Sequence, residues 1–346
     1  MSYHRNSKYL WSLTPGIFTI LGNSLGSWWV ISNLIYSLVF LAILEFFLPE
    51  DKRNDESEDS KLPDFILVCH VVLQIIALSA FFNSIYQGRI SGHFLIFAAI
   101  STGVHTGSSS IIVAHEMIHR KARSWQLLGK FLLFTAGNIY FFVDHLRVHH
   151  KWVGTDKDPA TARRGESVYT FFIRSTIGQV VSSWKVEKGR LTGFNKSVWS
   201  FENYVLRSGF ILIAFSSLLY AVIGPLALLA FLLQCLIANF LLEYTNYIEH
   251  YGLTRPDNIR VNVELSWQSD KVLSRFILID LSRHSDHHFY ASKPYHTLRS
   301  HEESPVLPAG YASCIYLAMI PPLWYKLIHP RIDLLNGKEI SPGTIG

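Results

Sequence analysis

Six stretches of this chain are long and apolar enough to lie inside lipid, and they come in three close pairs: residues 10–26 with 28–48, 65–86 with 93–113, and 204–223 with 226–244. A helix rises about 1.5 Å per residue, so about 20 residues cross the roughly 30 Å hydrocarbon core of a bilayer. Lipid offers no partner to a backbone N–H or C=O, so segments of this kind must be helical. The expectation is an all-α integral membrane protein with about six transmembrane helices in three hairpins. Pro15 and several glycines weaken the first stretch, and Gly224-Pro225 hinges the last pair. Neither of the first two stretches has the short apolar core and small-residue cleavage site of a signal peptide, so the N-terminus is expected to stay on the protein.

Composition agrees. Of 346 residues 49% are hydrophobic and only 16% charged, where a soluble domain carries about 25% charged residues. The net charge of +5 includes no Lys/Arg run with interleaved aromatics of the kind that grips nucleic acid; the excess is assigned to loops facing anionic lipid. Cys69, Cys235 and Cys314 stand far apart and suggest neither a disulfide framework nor a CxxC metal knuckle. Basic residues collect at Arg5 and Lys8, in the charged linker 49–64, over 120–196 and after 250, while the opposite loops hold little beyond Arg89. The positive-inside tendency then puts both termini and the large loops on the cytoplasmic side of the cell inner membrane. One membrane-embedded domain over 1–346 is expected, with spans at 10–113 and 204–245 and histidine-rich cytoplasmic regions at 114–203 and 246–346.

The polar chemistry is concentrated in four short histidine clusters: HEMIH at 115–119, HLRVHH at 145–150, EHYG at 249–252 and HSDHH at 284–288. His115 and His119 are four apart, so on a helix they differ by about 40° and can reach one metal. His145 and His149 repeat the spacing, with His150 beside them. His284 and His287 are three apart on one face, with His288 adjacent. Imidazole suits iron, zinc and copper, and the number of rings exceeds what one ion can use. Two ions with four or five ligands each account for it more simply.

Each cluster has a plainer reading. HExxH alone occurs in zinc metalloproteases, where Glu is the general base, but such a site needs only one further ligand and leaves the other histidines unexplained. HLRVHH alone could be a solvated basic helix face. HSDHH packs four ionisable residues into five positions, which has little reason without a metal. His4, His70, His93, His105, His296, His301 and His329 are scattered singly and are read as ordinary packing or surface residues; His70 and His105, inside spans, are expected to make helix-packing hydrogen bonds.

In order and wording the clusters resemble the integral-membrane alkane 1-monooxygenase family, a branch of the histidine-rich non-haem di-iron proteins that also includes membrane desaturases. The matching strings are HEMIHR from 115, HLRVHH from 145, NYIEHYGL at 246–253 and LSRHSDHH at 281–288, with DPATAR at 158–163, GES at 165–167, LPAGY at 307–311 and IPPLW at 320–324. Asp144 stands where that family more often has Glu, and His296 where it more often has Gln. The resemblance implies that His115, His119, His145, His149, His150, His250, His284, His287 and His288 bind two iron ions. Nearby Glu116, Asp144, Glu249 and Asp286 are expected to accept hydrogen bonds from the outer ring nitrogens.

The implied reaction is terminal hydroxylation of medium- to long-chain n-alkanes to primary alcohols, with O2 as co-substrate. An unactivated C–H bond offers no polarity to acid, base or Lewis acid, so a redox metal is needed and zinc would not serve. Alkanes concentrate in the bilayer because burial releases about 0.8 kcal/mol per methylene, so the substrate is expected to arrive from lipid through an apolar channel. Electrons are implied to come from rubredoxin and its NAD(P)H-dependent reductase. A fused rubredoxin would show paired CxxC motifs and none is present, so a separate rubredoxin is expected on the cytoplasmic face, near Arg120, Lys121, Arg123, Arg147 and Lys151. Two other readings are a related di-iron hydroxylase or desaturase acting on fatty acyl, terpene or alkyl-aromatic substrates, and a metal transporter with cytoplasmic histidine clusters. Transporters carry their ligands near the midplane of the spans, whereas these clusters sit at span ends.

Overall fold

The computed structural model describes residues 6–54 and 61–339; His4, Arg5 and residues 55–60 of the charged linker lie outside the described residues. The first apolar stretch does not form the long helix expected of a span. It divides into a 3-10 segment, Ser7–Leu13, and a 12-residue helix α1, Thr14–Leu25. Pro15 has no N–H to offer a helix interior and is tolerated in the first turn of α1, and Gly26, at φ 70°, ends the helix.

The remaining helices follow in chain order. α2 (Ser27–Phe47), α3 (Lys61–Tyr86) and α4 (His93–His119) precede α5 (Arg123–Thr135), α6 (141–152) and α7 (Val168–Gly193). Then come α8 (Tyr204–Val222), α9 (Pro225–His250), and the shorter α10 (Val272–Ile277), α11 (His284–Phe289) and α12 (Tyr311–Ala318), with α13 (Pro321–Glu339) last. Among the described residues five helices, α2, α3, α4, α8 and α9, are long and apolar enough to cross a membrane, against the six expected. The described residues contain no strand, only two isolated bridges, Glu50 with Lys271 and Gln268 with Val306.

α4 is the inner helix: 78% of its most apolar window is buried, against 11% for α8, which presents its apolar surface outward. Small residues let α4 press against α9. A Cβ added at Gly103 would lie 2.7 Å from the Ile237 Cβ and 2.8 Å from the Gln234 carbonyl oxygen; one at Gly107 would lie 2.9 Å from the Leu241 Cβ. Lipid gives helices no hydrophobic drive to associate, so close approach and interhelical hydrogen bonds must do it. Gln74 on α3 donates to Thr106 at 3.2 Å and Thr135 at 2.9 Å and accepts from Ser110, while Thr106 donates to Gln234 on α9 at 3.0 Å. His70 bridges Ser12 and Ser109, each at 2.8 Å, as a packing residue; neither ring nitrogen of buried His105 has a hydrogen-bond partner.

Residues 251–320 cover the histidine-bearing ends of α4 and α9. Two fully buried arginines hold this cap. Arg275 pairs with Asp280 at 2.7 Å and Asp51 at 2.8 Å, and Arg283 pairs with Asp270 at 3.2 Å and donates to the carbonyls of Asp51, Arg53 and Leu298. The described part of the linker after α2 is thus docked onto the cap. Just before α11, Ile279 and Asp280 adopt φ of 47° and 56°, a left-handed pair that is costly for non-glycine residues. Asp280, gripped by Arg275 and by the Tyr9 hydroxyl, pins that turn and so sets the direction of α11.

The contact of α4 with α9 has a direct test. Gly103→Ala should cost about 1–3 kcal/mol through overpacking and lower the melting midpoint of the detergent-solubilised protein; an unchanged midpoint would mean that the two helices can part without loss.

Candidate metal centre

α4 contributes His115 and His119 from its last turns, and α9 contributes His250 from its final residue. α6 contributes His145, His149 and His150, and α11 contributes His284, His287 and His288. The rings divide into two groups whose ligand atoms lie within 4.8 Å of one another: His115, His119, His145, His150 and His287 in one, His149, His250, His284 and His288 in the other. The groups adjoin, with the rings of His150 and His288 centred 4.5 Å apart.

His145 and His149, expected to face one ion, fall in different groups, and so do His284 and His287. The first split has a backbone cause. Residues His145–His149 form a π segment, whose i→i+5 repeat brings His150 back over His145. In a regular α-helix residues five apart would point about 140° from each other. On α11, regular helical spacing sends His284 and His288, four apart, to one group and His287 to the other.

Do the residues fit a metal? In the first group the Nε2 atoms of His145 and His119 are 3.0 Å apart, those of His150 and His119 3.2 Å, His150 and His145 3.0 Å, and His287 and His150 3.1 Å. A neutral imidazole has one donor and one acceptor nitrogen, so several nitrogens turned on one another cannot all be satisfied by mutual hydrogen bonds. Around a metal with bonds of about 2.1 Å, nitrogens at right angles stand about 3.0 Å apart. Both nitrogens of His115, and Nε2 of His149 and His250, are buried with no hydrogen-bond partner. A cation would take up these lone pairs. Burial, reinforced by the neighbouring rings, holds His145, His150, His284, His287 and His288 well below the ordinary imidazole value, so they are neutral and ready to ligate at neutral pH.

Of the four carboxylates expected to accept from the outer nitrogens of the clustered rings, Glu249 alone touches one of those rings, and it does so at the inward nitrogen. Its Oε2 is 3.2 Å from His284 Nε2, and its Oε1 accepts from the Tyr311 hydroxyl at 2.8 Å. Glu116 accepts from Arg120 at 2.7 Å, and Asp286 holds His301 at 2.8 Å, Lys293 and the Arg299 N–H, which fastens the cap loop. Asp144 accepts from Ser182, and burial beside Asp158 pushes it up to about 8. These three sit one position from a histidine, but their side chains leave the helix in other directions.

Asp158, the first residue of the DPATAR string, has a role that its local sequence does not announce. It is buried, and its Oδ2 lies 2.9 Å from His149 Nδ1 while accepting from Thr161 at 2.7 Å. Burial opposes a charged His149, but the Asp158 carboxylate outweighs it and lifts that ring above its ordinary value. The contact sets the proton on Nδ1 and leaves Nε2 facing the group; the Leu265 carbonyl does the same for His250 at 3.1 Å. A fixed proline turn beginning with Asp was the available signal.

Two cavities lie among the helices here, and the smaller of them is walled by the rings. An apolar one of about 90 Å³ lies among α2, α4, α9 and α10, walled by Leu38, Leu41, Val104, Leu241 and Ile277. A smaller one of about 20 Å³ is bounded by His115, His145 and His284 with Phe141, Leu242 and Leu281. A third hollow, of about 420 Å³ and open to the surface, has Lys151, Trp152, Arg255, Asp257 and Arg260 on its walls with His150 and His288. None of its residues belongs to a span. Of the basic residues expected at a docking face, Arg120 is engaged by Glu116 and Asp64, while Lys121, Arg123, Arg147 and Lys151 are exposed.

The profile of the fatty acid desaturase family matches residues 91–329, which include all nine histidines. An alkane 1-monooxygenase of Acinetobacter baylyi is 31% identical over 98% of this chain and 88% of its own length. Alkane 1-monooxygenase 1 of Alcanivorax borkumensis is 32% identical over 96% of this chain and 87% of its own. The chain belongs to the alkane 1-monooxygenase family. A more distant relative, the xylene/toluene monooxygenase hydroxylase component XylM of Pseudomonas putida, is 27% identical over 74% of this chain and 68% of its own.

Within this family member, Asp158 offers the clearest test of ring orientation. Asp158→Asn should weaken metal retention by about 10–100-fold, read as metal content after graded chelation; full retention would mean that the carboxylate does not orient His149.

Proposed function

We propose that this chain is a membrane monooxygenase that converts medium- to long-chain n-alkanes, O2, two electrons and two protons to primary alcohols and water. His115, His119, His145, His150 and His287 would hold one iron ion, and His149, His250, His284 and His288 the other. When bound, such ions supply the one-electron steps and O2 activation that attack on an unactivated C–H bond requires. The observation that carries the reading is position: the imidazoles stand between an apolar cavity among the spans and a basic hollow outside them.

The chain's own residues have distinct tasks in this scheme. Leu38, Leu41, Val104, Leu241 and Ile277 hold an alkyl chain out of water. Phe141, Leu242 and Leu281 keep the space before His115, His145 and His284 apolar. Asp158 and the Leu265 carbonyl orient His149 and His250 through Nδ1, and the Glu249 carboxylate stands beside the His284 Nε2 that faces His288. The family's alkane substrates dissolve in lipid, so access from the bilayer side follows from their partitioning. Rubredoxin, reduced by its NAD(P)H-dependent reductase, would dock at the hollow, where Lys151, Arg255 and Arg260 could meet an acidic surface. This face and both termini would be cytoplasmic, at the cell inner membrane, and residues 1–346 would act as one unit.

Iron-loaded protein in nanodiscs, given rubredoxin, reductase, NADH, O2 and a series of n-alkanes, should yield primary alcohols, and His287→Ala should yield none. Products formed only from fatty acyl or aromatic compounds would overturn the alkane assignment. The electron donor is tested separately: the double variant Lys151→Glu, Arg260→Glu should raise the KM for rubredoxin and reduce its dependence on salt. A KM that matches the unmutated protein at every ionic strength would place docking elsewhere.

A further inference from the structure

The outer and inner cavities have three wall residues in common: Gly107, Ile112 and Thr245. Gly107 and Ile112 are five apart on α4, a spacing that would separate them in a regular helix. The π segment Thr106–Ile111, which contains Gly107, returns Ile112 to the face that holds it. With no Cβ at Gly107, whose Cβ would stand 3.0 Å from the Ala238 carbonyl oxygen, α9 closes down there and sets Thr245 across from α4. The Thr245 hydroxyl is bonded to the Leu241 carbonyl of its own helix at 2.9 Å and has no polar partner across the passage. Beyond these three residues the inner chamber is the smaller of the two, about 20 Å³ against about 90 Å³ for the outer cavity.

We infer that Gly107, Ile112 and Thr245 form a neck that passes the terminal methyl of an unbranched chain to the histidine-lined chamber and turns back branched ends and aromatic rings. The inference rests on the hydroxylase reading above and adds to it the residues that decide which carbon reacts. A straight chain lying in the outer cavity can project its end through the neck. A penultimate methylene could reach the chamber only by folding the chain double in the smaller of the two spaces. A relative 27% identical to this chain is named for xylene and toluene, so aromatic substrates are the comparison that tests the neck.

The test compares unmutated protein with Ile112→Val, Ile112→Ala and Thr245→Ala, each matched for metal content. The ratio of secondary to primary alcohol from one n-alkane, and the turnover of toluene relative to that alkane, should both rise. Ile112→Ala should raise them on the order of tenfold or more, as expected for methylene-sized changes in an apolar pocket, and Ile112→Val less. A readout apart from turnover is the anomalous density of bromine, which is about methyl-sized. The bromine of a 1-bromoalkane should lie in the chamber beside His115, and that of 4-bromotoluene outside the neck, moving inward only in Ile112→Ala. Ratios unchanged in all three variants, or 4-bromotoluene found in the chamber of the unmutated protein, would overturn the neck. If the unmutated protein oxidises a fatty acyl chain and no alkane, the alkane reading fails alone, and the same terminal-to-subterminal ratio on that chain decides the neck.

Discussion

Buried imidazole nitrogens facing one another are the constraint around which this molecule is arranged. Rings in two groups, with ligand atoms no more than 4.8 Å apart, are too many and too close to satisfy each other by hydrogen bonding, and burial denies them water. Each would be left with an unmet lone pair, and a bound cation removes the deficit. Everything that aims the rings then has a purpose: the last turns of α4 and α9, the bent α6, and α11, held by its left-handed turn against Arg275 and Tyr9.

Backbone register matters as much as residue identity. Two of the three π segments among the described residues, 106–111 and 145–149, perform the same geometric act in different places. Each shifts the helix by one residue, so that side chains five apart share a face. In α6 this gathers His145 with His150 and releases His149 to the neighbouring group. In α4 it aligns Gly107 with Ile112 where the two cavities meet. An extra residue in a helical turn costs hydrogen-bond geometry, which is why such segments are found mostly at functional sites.

The arrangement also separates two kinds of traffic. A hydrocarbon belongs in lipid and an electron-carrying protein in water; an apolar cavity among the spans shares walls with the histidine-lined chamber, and a hollow lined with charged loop residues touches His150 and His288. The cap keeps these apart. Its buried pairs, Arg275 with Asp280 and Asp51, and Arg283 with Asp270, are expensive to desolvate. They are tolerable because each guanidinium is also met by carbonyls or a second carboxylate, and they fasten the linker after α2 over the end of the helix bundle.

Hydropathy alone determined the all-helical membrane architecture, because apolar stretches of span length have no other way to satisfy their backbones in lipid. Of the six stretches it marked, five form helices long and apolar enough to cross a membrane among the described residues, and the one that contains Pro15 is divided between a 3-10 segment and a short helix. The clustering of histidines, and their likeness to one family, was equally legible, because ligands supplied by neighbouring turns must recur at short spacing. What only the tertiary structure decided was the grouping: which rings share an ion-sized space, that Asp158 rather than Asp144 or Asp286 lies against one of the nine clustered rings, and which residues wall the cavities beside them. Those facts depend on one-residue changes of helical register and on contacts between residues far apart in the chain, and neither is written in local spacing.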